Sequence, residues 1–127
     1  MQPQLDNVKV LFVDDDLETL ESFDRLLEAL GADVHTASSV DDAIELVERW
    51  HPDVIVSDIS MPDQDGCQFI RRVRVRSEEL GGRTPAIAVS GRAQAADQTR
   101  AVLAGFQCLA SKPIAADQLV RLIRSVL

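Results

Sequence analysis

The chain has 127 residues, 46% of them hydrophobic, with 13 Lys+Arg against 21 Asp+Glu and a formal net charge of -8. That length holds one domain with a proper core but not two, and the apolar content excludes a disordered chain. The acidic balance argues against direct nucleic-acid binding, and no run approaches the roughly 20 apolar residues of a membrane span.

The opening residues Met1-Gln2-Pro3-Gln4 lack the charged and apolar regions of a secretory signal, so a cytoplasmic setting is expected. Residues 1–7 read as a polar lead. The first strand follows at Val8 to Val13. Leu17, Leu20, Phe23, Leu26, Leu27 and Leu30 have the spacing of an amphipathic helix, stopped by Gly31. Ala32 to Ala37 is a second strand. Ser39 caps a helix running to about Trp50, with Asp42 as its capping-box partner, and Pro52 ends it. Asp53 to Ser57 is the third strand, and the loop from Asp58 to Asp65 carries Met61-Pro62. A helix from about Gly66 to Ser77 leads into a glycine-containing loop. Pro85 to Ser90 is the fourth strand, and Ala93 to Ala104 an alanine-rich helix closed by Gly105. Phe106 to Ser111 is the fifth strand, and Ala116 to Val126 the last helix. Five strands alternating with five helices imply an α/β domain: a doubly wound, five-stranded parallel sheet with helices on both faces.

The chemistry lies at the strand ends. Asp14, Asp15 and Asp16 follow the run Val10-Leu11-Phe12-Val13, Asp58 follows Val54-Ile55-Val56-Ser57, and Lys112-Pro113 follows the fifth strand. In an open parallel sheet the carboxyl ends of the strands share one edge, where ligands bind. The acids and the lysine therefore converge, and crowded carboxylates repel unless a cation joins them. A divalent metal is expected there. Asp16 starts the first helix, where negative charge is favoured, while Asp63 and Asp65 read as turn residues and Gly66 as relief of backbone strain. The run Arg71, Arg72, Arg74 and Arg76 reads as a solvated helix face, with partner docking as the alternative. His35 and His51 show no ligand spacing, Trp50 packs at a helix end, and Cys67 and Cys108 read as reduced core or near-core thiols.

Five signals in order resemble the response-regulator receiver domain of two-component signalling. They are Asp14-Asp15 after the first strand, Asp58 after the third, Met61-Pro62 with Asp65-Gly66, Ser90 after the fourth, and Lys112-Pro113 after the fifth. The resemblance covers 8–127 and implies a flavodoxin-like (βα)5 fold with strand order 2-1-3-4-5. It implies that Asp58 accepts a phosphoryl group from a histidine kinase or histidine phosphotransfer protein, that Asp14, Asp15, Asp58 and the main-chain carbonyl of Ser60 serve a Mg²⁺ ion (Asp14 through water), and that Lys112 pairs with Asp58 at rest. Ser90, Gly91 and Lys112 would then bind the phosphoryl oxygens, and Pro113 would follow a cis peptide bond. The domain would switch conformation to alter partner binding, without contacting nucleic acid or membrane and without turning over an external substrate.

Two features depart from that pattern. Leu109 stands where many receivers have an aromatic residue that swings inward, and the chain has no tyrosine. Ser60 and Arg92 occupy positions that in the family flank the path of the attacking water, where the resemblance implies opposite pushes on hydrolysis. No effector domain is expected after the last helix, and Gly81 to Ala110 is also similar to receivers fused to hybrid histidine kinases. A haloacid-dehalogenase-type phosphatase shares the Asp-x-Asp pattern of Asp14-Asp15-Asp16, but has Thr or Val where this chain has Glu18 and leaves Met61-Pro62 and Lys112-Pro113 unexplained. A phosphorylation-independent binding module is the third reading.

Overall fold

The computed structural model describes residues 4–61, 65–91 and 95–127, save the side chain of Ala95. Five parallel strands lie in the order β2-β1-β3-β4-β5, as the resemblance implied. They are β1 (Lys9–Val13), β2 (Asp33–Ala37), β3 (Val54–Asp58), β4 (Ala86–Ser90) and β5 (Cys108–Ser111). Five helices alternate with them: α1 (Leu17–Ala29), α2 (Val40–Trp50), α3 (Gly66–Arg74), α4 (Ala95–Ala104) and α5 (Ala116–Val126). No helix among the described residues is long and apolar enough to cross a membrane.

The central strands are apolar through their middles because alternate side chains enter different cores. Leu11, Val13 and Ile55 point to one face, covered by Ile44 and Val47 of α2, Phe69 and Ile70 of α3 and Ala101 of α4. Val10, Phe12, Val54 and Val56 point to the other, covered by Leu20 and Leu27 of α1 and Leu119 and Ile123 of α5. Leu5 is fully buried in that second core, and its N–H donates to the Leu30 carbonyl at 2.9 Å.

Most helix ends follow the local signals. Asp16 caps α1, accepting from the Glu18 N–H and the Thr19 hydroxyl. Ser39 caps α2, accepting from the Asp42 N–H at 3.2 Å. The reciprocal capping box forms instead at α3, between Asp65 and Gln68. Gly31 and Gly105 close α1 and α4 with positive φ. Each leaves paired N–H bonds back into the helix, as in Gly105 to Val102 and Phe106 to Ala101, both at 3.1 Å. Phe106 is thus spent on the helix end, and β5 starts at Cys108 rather than at Phe106. The third helix also ends early, at Arg74 rather than Ser77. The Arg76 N–H turns back to Val73 at 3.1 Å, and a short 3₁₀ turn over Glu78–Leu80 follows. Pro62, Asp63, Arg92 and Ala93 lie outside the described residues.

Candidate phosphoacceptor and metal site

Register brings the strand ends to one edge. Val13 pairs with Ser57 between β1 and β3, Asp58 with Val89 between β3 and β4, and Ser90 with Ser111 between β4 and β5. By that register Asp14, following β1, comes level with Asp58 at the end of β3, and Ser90 ends β4 one residue further on. Asp14, Asp58 and Ser90 are all buried, whereas Asp15, Ser60 and Gly91 are exposed at the rim.

The acids and the lysine meet as expected. Lys112 Nζ donates to Asp58 Oδ2 and to Asp14 Oδ2, both at 3.0 Å. The bond to Asp58 matches the resting pair implied by sequence, and the equal bond to Asp14 is an addition. The remaining oxygens accept main-chain donors: Asp58 Oδ1 from the Ser60 N–H at 3.1 Å and Asp14 Oδ1 from the Asp16 N–H at 3.0 Å. The Lys112 N–H donates to the Ser90 carbonyl at 2.8 Å, tying the lysine's backbone to the serine's strand end. Lys112-Pro113 is a cis peptide bond.

Ligand oxygens of Asp14, Asp15 and Asp58 lie within 4.8 Å of one another. Three carboxylates against one ammonium leave the cluster negative. Its all-oxygen donor set suits a hard divalent cation such as Mg²⁺, which keeps several waters and takes few carboxylates. Burial pushes the Asp58 carboxyl up; Lys112 opposes that and Asp14 adds to it. Burial works against the Lys112 ammonium, but hydrogen bonds and charge from Asp14 and Asp58 outweigh it and hold the group above its usual range.

Gly66 serves the site differently from the expectation. Its φ is not positive; a Cβ there would lie 2.3 Å from the Asp58 carbonyl oxygen and 2.8 Å from Ile59 Cα. Glycine therefore allows α3 to start directly against the acceptor's backbone, with the Gly66 N–H donating to the Ile59 carbonyl at 2.8 Å. Leu109 is half-buried against the α2–α4 side of the core. A cleft of about 340 Å³ opens beside Lys112, lined by Phe12, Thr19, Phe23, Val89, Pro113 and Ile114.

The arginine run is the main correction. Arg71 is exposed, but Arg74 is inserted among three carbonyls of two loops, and Arg76 reaches Glu48 and the Arg72 carbonyl. The helical pattern held a clue, because Arg74 stands four residues after the buried Ile70 and eight after the buried Gly66.

Residues 10–124 match the response regulator receiver domain. An uncharacterized 14.6 kDa protein of Leptolyngbya boryana is 37% identical over 120 residues, covering 94% of this chain and 90% of that protein. The response regulator MprA of Mycobacterium leprae is 32% identical over 120 residues, 94% of this chain but 51% of its own length. The sensor histidine kinase RcsC of Escherichia coli is 31% identical over 112 residues, 88% of this chain and 11% of its own. The chain therefore spans about half or less of these named signalling relatives. Among solved structures, the chemotaxis protein CheY4 of Vibrio cholerae superposes with a TM-score of 0.88 at 26% identity, covering 95% of this chain and 99% of that one. The receiver domain of sensor histidine kinase PA1611 from Pseudomonas aeruginosa, solved with a magnesium ion coordinated in its active site cleft, gives 0.84 at 27%, covering 94% and 97%. The chain belongs to the response regulator receiver domain family of two-component signal transduction.

Proposed function

We propose that this domain takes a phosphoryl group from a phosphohistidine of a histidine kinase or histidine phosphotransfer protein onto Asp58. The transfer depends on Mg²⁺ and changes the domain's affinity for a downstream partner. The observation that carries this reading is the gathering of the Asp14, Asp15 and Asp58 oxygens within 4.8 Å, with Lys112 bonded to two of those acids.

Asp14, Asp15, Asp58 and the Ser60 carbonyl would hold Mg²⁺, which supplies positive charge where an anion attacks an anion. A carboxylate oxygen of Asp58 forms the new O–P bond as the N–P bond of the phosphohistidine breaks; the imidazole keeps that electron pair and takes up a proton. The acyl phosphate needs no general base, because the attacking carboxylate is already ionised. Lys112 then turns from Asp58 to a phosphoryl oxygen, while Asp14 continues to hold it. Ser90 and the N–H of Gly91 offer further donors, and a Cβ at Gly91 would meet nothing within 4 Å, so the approach is open. The bound charge pulls the Ser90 loop and biases the domain toward a second conformation. The magnesium-bound relative from Pseudomonas aeruginosa supports the metal assignment.

Incubation with a small-molecule phosphodonor and Mg²⁺, followed by mass spectrometry, tests this reading. One added phosphoryl group, absent without Mg²⁺ and absent in Asp58→Asn, is expected. An unchanged mass, or labelling that persists in Asp58→Asn, would overturn it. No turnover of a generic phosphate ester is expected, in contrast to a haloacid-dehalogenase-type enzyme.

A further inference from the structure

Arg74 has no counter-ion among the described residues. Its guanidinium donates from Nε and Nη2 to the Gly105 carbonyl at 3.0 and 2.9 Å, and from Nη1 to the Gly82 and Thr84 carbonyls at 3.1 and 2.6 Å. Gly82 and Thr84 lie in the loop before β4, and Gly105 immediately follows α4. One side chain therefore closes the base of the arm that leaves the sheet through Ser90 and returns through α4. Gln107 reinforces the closure: its N–H donates to the Ala86 carbonyl at 2.9 Å and its Oε1 accepts from the Ala86 N–H at 2.6 Å. Gly105 makes the fit possible, since a Cβ there would come within 2.8 Å of Arg74 Cγ.

Elsewhere on α4, Ala101 and Ala104 are buried in the core, and one polar contact is an exposed ion pair. Arg100 pairs with Asp65 at 2.5 Å, with side-chain exposures of 49% and 30%. Asp65 is the N-cap of α3, in the loop leaving Asp58. An exposed ion pair of this kind holds little energy, whereas three carbonyls stripped of a charged donor would be left unsatisfied. These two polar contacts of α4 thus differ sharply in strength.

We propose that Arg74 is a positioning residue for the switch: it fixes the base of the Ser90 arm, so that α4 turns about Gly105 and the exposed Asp65–Arg100 pair is a contact that opens. The inference rests on the reading of Asp58 as phosphoacceptor with Ser90 as its reporter. It gives the signal a route that needs no aromatic residue at position 109.

The test titrates the full chain with Mg²⁺ alone and then with beryllofluoride in saturating Mg²⁺, a mimic of the phosphoryl group. It compares the parent with Arg74→Met, Arg74→Lys and Arg100→Ala and records amide hydrogen exchange on each. Arg74 touches none of the acids, so Mg²⁺ affinity should stay unchanged in Arg74→Met, while beryllofluoride binding weakens by about tenfold because Ser90 is misplaced. Arg74→Lys keeps one cation among the same carbonyls and should recover part of that loss. Arg100→Ala should act in the opposite sense, tightening beryllofluoride by about twofold. Equal loss of both ligands in Arg74→Met and Arg74→Lys, no loss of either, or weaker beryllofluoride binding in Arg100→Ala would overturn the proposal. If the parent itself takes up no beryllofluoride, the reading of Asp58 fails, and the exchange data then decide the clamp. Deprotection of Arg74→Met confined to 86–91 and 95–107 supports it, and deprotection spread through α1 and α5 overturns it.

Discussion

The two edges of the sheet each hold a half-buried cation, and they treat it in opposite ways. At the carboxyl edge, Lys112 lies between two carboxylates, and their hydrogen bonds and charge raise its pKa despite burial. At the amino edge, Arg74 lies among neutral carbonyls, and burial lowers its pKa with no charge to offset the effect. The first arrangement is a balance of charges that a metal or a phosphate can upset. The second is a satisfied hydrogen-bond network that nothing in the proposed reaction touches. Under the proposed function, the edge that changes and the edge that holds its shape divide the polar groups in this way.

Substitutions at the two edges should separate under one measurement, chemical denaturation with and without Mg²⁺. The largest loss is expected from Arg74→Met, which strands three buried or half-buried carbonyls and should cost about 3 kcal/mol, with no recovery on adding Mg²⁺. Next comes Lys112→Met, which leaves Asp14 and Asp58 facing each other without a cation. Breaking a buried pair costs about 3–5 kcal/mol, and the one-third exposure of Lys112 brings the expectation to about 2 kcal/mol. Here Mg²⁺ should restore most of the loss, because it replaces the missing charge. A Lys112→Met protein whose stability ignores Mg²⁺ would erase the distinction between the edges.

Asp58→Asn should go the other way, raising metal-free stability at neutral pH by about 1 kcal/mol. The sign follows from the carboxyl, whose pKa is raised chiefly by burial above the ordinary 3.8. An acid raised in the fold favours folding when protonated, so its contribution turns unfavourable as pH climbs through the window above 3.8. The parent should lose stability across that window relative to Asp58→Asn. Lys112, raised above 10.5, contributes at neutral pH and loses its contribution only as pH rises through the alkaline range. Stability curves for the two proteins that run parallel from acid to neutral pH would contradict the account of the buried carboxylate.

The difference between the edges also explains what could be read from the sequence. Asp14, Asp58, Ser90 and Lys112 announce themselves because each ends an apolar run, and parallel strands must bring such ends together. Side-chain chemistry is written in the residue type. The main partners of Arg74 are three main-chain carbonyls in two loops, up to 31 residues away, and every residue has a carbonyl. Nothing in the letters at 82, 84 or 105 marks an acceptor, so the arginine reads as one more surface charge. The same reasoning covers Gly66, whose need is set by the Asp58 backbone across a turn rather than by its own φ. Phe106 misleads in a third way, because an apolar residue after a glycine suits both a strand start and a helix end, and the hydrogen bond to Ala101 decides between them.

The smallest effect expected lies away from both edges, on α1. Asp24 and Glu28 stand one helical turn apart, and the Asp24 side chain, by its hydrogen bond and then its charge, raises the Glu28 carboxyl above its ordinary 4.5. Two like charges at this spacing oppose the helix. Glu28→Gln should therefore raise the thermal midpoint slightly at neutral pH. Because the opposition exists only when Glu28 is ionised, the gain should fade as pH falls through the range just above 4.5 and shrink in high salt. Mg²⁺ should leave it unchanged, since Glu28 is not among the acids gathered at the strand ends. A gain that persists in acid would mean that helix propensity, rather than charge, favours glutamine at this position.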